Sequence, residues 1–164
     1  MKAAAILLTA ALLLSSCTSS YPYLVTNNDC NCERFVFRDS EGRFQIGVSA
    51  RYSVGDRIHT VMEFEFRNSS RLPLSLKQAF LKGSSLNIHY EFNDRFQPMP
   101  YVVIPPSGTY MLTLEGSDVE TTDDPWLKIA GEKVVIEMKG MLLGSKPLAP
   151  VILTFRPINP RLTP

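Results

Sequence analysis

The sequence has three cysteines, and two of them, Cys30 and Cys32, are separated by one residue. Two thiols outside the cytoplasm tend to oxidise, and cysteines at this spacing in an extended chain lie about 6.6 Å apart, at the upper limit for a disulfide. Two thiolates also suit Cu(I), but the segment offers no nearby His or Met as a third ligand. The pair therefore predicts a local disulfide, with free or intermolecular thiols and a soft-metal site as the alternatives.

The third cysteine, Cys17, follows a segment with the composition of an export signal. Lys2 is followed by the apolar run Ala3–Leu14, broken only by Thr9, and then by two serines. The run is too short to cross about 30 Å of hydrocarbon as a helix. Residues 1–16 are therefore predicted to be a cleaved targeting segment.

The order Leu14-Ser15-Ser16-Cys17 resembles the lipobox of bacterial lipoproteins. The resemblance implies that the chain is cut before Cys17 and that this cysteine carries three acyl chains, since one chain alone anchors weakly. Thr18 in place of an aspartate implies the outer membrane, and we expect the periplasmic face because no acidic cluster follows. The alternative is an ordinary secretory signal cut near Ser16, which would leave Cys17 as a free thiol.

The charge balance excludes one class of partner. Loss of Lys2 with the signal reduces Lys and Arg from 17 to 16, against 16 Asp and Glu. A neutral domain with mixed charges has no long-range attraction to nucleic acid, so no nucleic-acid partner is expected.

The sequence contains no arrangement of side chains that predicts catalysis. His59 and His89 fall on outward faces of predicted strands, and residues 47–51 lack the final glycine and the strand-turn-helix context of a nucleophile elbow. An acidic loop is better explained by solvation than by calcium, because its spacing matches no calcium loop. Its members are Glu115, Asp118, Glu120, Asp123 and Asp124. We therefore predict no enzyme activity and no cofactor.

From residue 34 onward, apolar and polar residues alternate, which is typical of strands with one buried face. Residues 44–54 and 58–66 show this alternation most clearly. Clusters of Gly, Pro, Asn and Ser at regular spacing predict the turns. Because no helix is long enough for a parallel crossover, the sequence predicts an all-β, antiparallel sandwich of about seven to nine strands.

Part of this pattern is a series of strand, Asn-Ser turn, strand and Pro-Gly turn. It consists of Met62-Glu63-Phe64-Glu65-Phe66-Arg67-Asn68-Ser69-Ser70, Leu74, Leu76, Ile88-His89-Tyr90-Glu91-Phe92 and Ile104-Pro105-Pro106-Ser107-Gly108. The series resembles small secreted immunoglobulin-like domains of bacteria. The resemblance implies an immunoglobulin-like β-sandwich, which we assign to residues 33–164. The Ser- and Asn-rich residues 17–32 are predicted to be a lipidated tether.

One short helical turn is expected among the strands. Asp124 can cap it, Pro125 suits its first position, and Gly131 follows its end. A turn crossing between the sheets would place Trp126 over the open end of the core.

Together these features predict a membrane-anchored lipoprotein that acts as a non-enzymatic binding or structural module of the cell envelope. Its expected partners are the membrane, through the lipid on Cys17, and a protein or other envelope component reached through loops or a sheet edge. The alternative is a lipoprotein that handles copper or another soft metal through Cys30 and Cys32.

Overall fold

A computed structural model describes residues 19–92, 96–119 and 124–158. These residues are mostly antiparallel β, which confirms the all-β prediction. The structure forms a large curled sheet and a small second sheet. The predicted signal segment, residues 1–16, and Cys17 lie outside the described residues.

The elements follow one another along the chain as thirteen strands and one α-helix among the described residues. They are β1 (Ser20–Val25), β2 (Arg34–Arg38), β3 (Phe44–Val54), β4 (Ile58–Asn68), β5 (Leu74–Ser75), β6 (Phe80–Ser85), β7 (Gln97–Pro98), β8 (Val103–Ile104), β9 (Thr109–Ser117), α1 (Pro125–Ile129), β10 (Val134–Lys139), β11 (Leu142–Leu143), β12 (Lys146–Pro147) and β13 (Val151–Pro157). Eight of the strands have five or more residues, and the other five have two. Six of these eight long strands lie where the sequence predicted strands, whereas β1 and β6 were not predicted.

The strand order shows how the large sheet curls. Eight of its strands run β7-β6-β10-β13-β1-β3-β4-β9, and β2 pairs with β3 beside this path. The small sheet has the order β12-β11-β5-β8. All pairings between these strands are antiparallel, and the longest is the β3–β4 hairpin, whose register runs from Phe44 opposite Asn68 to Val54 opposite Ile58.

The prediction that residues 17–32 form a tether is wrong for residues 20–25, which form strand β1. Ser20–Pro22 pair with β3, and Tyr23–Val25 pair with β13. The physical reason is burial: Tyr23 and Val25 alternate along the strand and are both fully buried. Two large side chains at period two outweigh the polar composition of the segment, since each contributes about 1.5–3 kcal/mol by leaving water.

A single hydrophobic core is formed by the inward positions of the long strands. The predicted alternation is confirmed in β3 and β4, where the buried side chains are Phe44, Ile46, Val48, Ala50, Tyr52, Ile58, Met62, Phe64 and Phe66. Other strands of the curled sheet add Tyr23, Val25, Ile136, Leu153 and Phe155 to the same cluster. The two halves of the sheet therefore share one core.

The strand expected over residues 86–92 is not formed. β6 ends at Ser85, and Leu86 is exposed. The buried Glu132 explains the break, because its carboxylate accepts hydrogen bonds from the Leu86 and Asn87 backbone N–H groups at 3.1 and 2.7 Å. The Leu86 N–H is shared with the Lys133 carbonyl at 3.1 Å, but the Asn87 N–H binds the side chain instead of a neighbouring strand.

Asn68 joins the large sheet to the small one at the end of β4. Its buried Nδ2 donates to the carbonyls of Leu72, Ile104 and Pro105 at 2.7, 3.0 and 3.1 Å. Its Oδ1 accepts from the backbone N–H of Ser70. The Asn-Ser turn is thus confirmed as a structural turn, in which one amide satisfies several buried carbonyls.

The predicted helical turn is confirmed as α1. The Asp124 side chain accepts a hydrogen bond from the Trp126 N–H, and Pro125 occupies the first turn. The Trp126 ring packs edge-on against Tyr21, with ring centroids 5.5 Å apart. Trp126 therefore lies at the end where β1 begins and contacts Tyr21, a partly buried residue that packs against the core.

Candidate functional site

The Cys30–Cys32 pair forms a disulfide, with Cα atoms 5.4 Å apart. The local disulfide predicted from the sequence is therefore present, instead of free thiols or a soft-metal site. The surrounding hairpin is also held by other contacts, since Val25 and Cys32 exchange backbone hydrogen bonds. In addition, the Asn27 side chain donates to the Ile152 carbonyl and accepts from the Thr154 N–H, both at 2.7 Å. Four non-covalent bonds thus fix the hairpin independently of the disulfide.

The surface beside the disulfide is basic. A shallow pocket of about 270 Å³ is lined by Thr26, Asn31, Lys133 and Arg156. Two positive side chains disfavour a bound cation there, and both sulfurs are engaged in the disulfide. Across the described residues, no group of three or more His, Cys, Asp and Glu side chains could hold a metal ion.

The two histidines lie at the surface, where the sequence placed them. His89 is exposed. His59 is also exposed, and its Nδ1 lies 2.7 Å from the Ser117 Oγ of the neighbouring strand β9. No sequence pattern indicates this Ser–His pair, because only the strand register brings the two residues together. The pair lies on an open sheet face, at the end of β9.

A group of buried hydroxyls in the core also has perturbed acidity. The Tyr23 and Tyr90 hydroxyls are hydrogen-bonded at 2.7 Å, and Thr60 lies 3.4 Å from Tyr23. Burial raises the pKa of Tyr23 to about 12 and raises the pKa of Tyr90 as well. Burial also raises the pKa of the Glu132 carboxyl, although the hydrogen bonds that it accepts from backbone N–H groups lower this pKa. These groups are closed to solvent, and their role is to satisfy one another inside the core.

A polar groove of about 340 Å³ crosses the outer face of β2, β3 and β4. Gly47 leaves it open, because it contributes no side chain beside Glu65. The groove is lined by two arginines and two glutamates, so its charges balance. Arg67 contacts Glu65 at 2.8 Å, and the Ser49 hydroxyl donates a hydrogen bond to Glu63 at 3.2 Å. The groove therefore has no strong preference for one sign of charge.

The free edge of β9 is the third surface feature, and it combines backbone and apolar character. β9 is the last strand of the sheet and pairs only with β4. Its C-terminal end is covered, since Tyr90 forms an isolated antiparallel β-bridge with Asp118 and the Glu91 N–H donates to the Ser117 carbonyl. Within the described part of the chain, residues 109–116 have no backbone partner on the outer edge.

An apolar groove of about 280 Å³ runs beside this free edge. It is lined by Leu81, Pro98, Met99, Pro100, Leu112 and Leu114. The groove is the seam between the two ends of the curled sheet, because Leu81 and Pro98 belong to β6 and β7 while the last two leucines belong to β9. Leu112 and Leu114 are only half-buried, although they face the core. The edge and the groove together form the best candidate binding site.

No family model and no curated protein matches the chain. Among solved structures, the crystal structure of a protein from Archaeoglobus fulgidus is similar over 71% of this chain and 97% of that chain, with 14% identity and a TM-score of 0.44. Similarity at this level carries no argument about function, so the candidate site rests on the geometry of this chain. In the described residues, no helix is long and apolar enough to cross a membrane.

Removal of the disulfide is expected to leave the fold intact. The disulfide closes only a very small loop. We therefore expect the double substitution Cys30→Ser with Cys32→Ser to lower the free energy of unfolding by roughly 1.5 kcal/mol or less. Urea denaturation without reductant measures this change. Asn27→Ala is the matched comparison, because it removes two hydrogen bonds to β13 and should cost about 1–3 kcal/mol. A double variant that failed to fold would show that the disulfide, and not the hydrogen bonds, holds the hairpin.

Proposed function

We propose that the chain is a lipoprotein of the bacterial cell envelope, attached through Cys17 and facing the periplasm from the outer membrane. The order of residues 1–17 supports the attachment, because a basic residue, an apolar run, two serines and a cysteine follow in the order that lipoprotein processing requires. The start of β1 at Ser20 agrees with such processing, because the folded domain then begins directly after the new N-terminus.

The proposed activity is binding without catalysis, by addition of a strand to β9. An extended segment of a protein partner would continue the sheet through backbone hydrogen bonds and place alternate side chains into the apolar groove. The observation that carries this proposal is the unpaired edge of residues 109–116 beside half-buried Leu112 and Leu114.

The composition of the edge supports strand addition. Proteins usually protect a long free edge with lysine, proline, a bulge or a covering loop. Residues 109–116, Thr-Tyr-Met-Leu-Thr-Leu-Glu-Gly, contain no lysine or proline and only one charged residue. An edge that is both accessible and nearly uncharged is suited to accept a strand.

The immunoglobulin-like arrangement belongs to this proposal. It is supported by the antiparallel pairing and by the single core shared between the two halves of the curled sheet. Copper handling through Cys30 and Cys32 is the less favoured function. It would require reduction of the disulfide beside two basic side chains.

The lipid attachment predicts a specific chemical change at Cys17. Protein purified from bacterial membranes should lack residues 1–16 and carry three acyl chains, as measured by intact mass and labelling with a fatty-acid analogue. Cys17→Ser should abolish both, whereas Cys30→Ser with Cys32→Ser should leave them unchanged. An unmodified thiol at the mature N-terminus would rule the attachment out.

Strand addition predicts that β9 contacts the partner in cells. A photo-crosslinking residue at Thr113, an exposed position of β9, should yield a covalent adduct with an envelope protein. Met111→Lys should abolish that adduct, because a charge beside the edge opposes pairing. Ile152→Lys is the matched control, since Ile152 is similarly exposed but lies on β13, which has neighbours on both sides.

The adduct must meet a further condition. Mass spectrometry of the crosslinked product should identify a segment of another protein. Adducts with a second copy of this chain alone, or adducts that persist in Met111→Lys, would contradict the proposed strand addition.

A further inference from the structure

We infer that the domain lies with one particular end on the membrane, and that Leu127 of α1 and its apolar neighbours enter the lipid headgroup region there. This inference rests on the proposed lipid attachment at Cys17. The end concerned, called the anchor end, comprises the start of β1, the turn at residues 55–57, α1, and the loop positions Leu86 and Val119.

The length of chain between the lipid and the fold limits which surface can face the membrane. Three residue steps separate Cys17 from Ser20, the first residue of β1. A fully extended chain covers about 3.3–3.6 Å per residue, so Ser20 lies within roughly 11 Å of the lipidated cysteine. The eleven residues of β3 extend over about 35 Å, which puts the opposite end of the domain well out of reach.

The strand register shows which elements share this end with Ser20. Ser20 lies opposite Ser53, Ser53 lies opposite His59, and His59 lies opposite Ser117. β1 and β4 therefore begin at the anchor end, whereas β3 and β9 terminate there. The contact between Tyr21 and Trp126 adds α1 to the same end.

The side chains of α1 are distributed in an unusual way for a helix that faces water. Leu127 is 71% exposed, whereas only 9% of the adjacent Lys128 side chain is exposed. The ammonium group of Lys128 contacts the carboxylate of Asp118 at 3.1 Å. A helix in contact with water normally buries the leucine and exposes the lysine, so this reversed arrangement favours an apolar environment outside α1.

Further exposed apolar side chains lie on loops that are held at this end. Leu86 is 71% exposed and Val119 is 43% exposed. Hydrogen bonds from the Asn87 side chain to the Ala130 carbonyl and from the Val119 N–H to the His89 carbonyl hold both loops at this end. Together with Trp126, which belongs to the residue type enriched at membrane interfaces, they form a small apolar surface.

The charges at the anchor end do not favour anionic lipid. Arg57 lies at this end, but so do Asp56, Glu91 and Asp124. Contact with the membrane should therefore depend on apolar insertion and on the anchor, not on the surface charge of the lipid.

Trp126 makes the inference directly measurable, because it is the only tryptophan of the chain. The lipidated full-length product is reconstituted into phosphatidylcholine vesicles, with or without lipids that carry a quencher close to the headgroup. We expect the quencher lipid to reduce Trp126 fluorescence about twofold, as for an interfacial indole. Addition of phosphatidylglycerol should not change the result.

Two variants provide the controls. In Trp126→Phe with Tyr101→Trp, the tryptophan moves to an exposed position near the small sheet at the opposite end, and its fluorescence should not be quenched. In Leu127→Glu, the anchor is retained but quenching of Trp126 should fall, because a carboxylate opposes insertion.

The outcomes separate this inference from the proposed lipid attachment. If the mass confirms three acyl chains but Trp126 is not quenched, or the tryptophan at position 101 is quenched instead, the orientation is wrong and the attachment stands. A mass without acyl chains overturns both.

Discussion

The pairing of β1 on two sides is the interaction on which the rest of the structure depends. The first half of this six-residue strand pairs with β3, and the second half pairs with β13. β1 is therefore the link between the two halves of the curled sheet. Its buried residues, Tyr23 and Val25, lie in the core that both halves share.

The same arrangement explains the open seam. With β1 near the middle of the strand order, the sheet curls so that its two ends, β7 and β9, approach each other on the other side of the core. They line one groove but do not pair. A partner strand at β9 would complete the closure that the chain leaves unfinished, and this is a physical reason for binding to occur there.

β1 also determines how the domain is presented. Because the strand begins three residues after the cysteine of the lipobox, a lipid at Cys17 would hold the domain close to the bilayer. The free edge of β9 runs along the length of the domain, so an extended partner could pair with it while the domain stays at the membrane.

The sequence was sufficient for features that depend on local pattern. Alternation in β3 and β4 predicted their buried faces, and the Asp124-Pro125 pair predicted α1. It failed for β1, where polar composition concealed two buried positions. It also failed beyond Ser85, where the Asn87 N–H, which would have continued the strand, donates to the carboxylate of the distant Glu132.

The candidate site was only partly predictable, for a related reason. The two cysteines at positions 30 and 32, one residue apart, are visible in the sequence, and the expected disulfide depends on them alone. The seam between β7 and β9 brings together residues far apart in the chain, such as Leu81 and Leu112. Their proximity follows from the strand order, which a single sequence does not specify.

The most direct test of this account is native-state hydrogen exchange of the mature protein, followed at the β1 amides. If β1 joins the two halves of the sheet, the amides of Tyr23 and Val25 should exchange as slowly as those in the middle of β3, because both open only when the domain unfolds. Tyr21, opposite β3, and Leu24, opposite β13, report the two pairings separately from the Val25–Cys32 hairpin. If they exchanged as fast as the exposed turn at residues 40–42 while β3 remained protected, β1 would be a loose tether and the account would be contradicted.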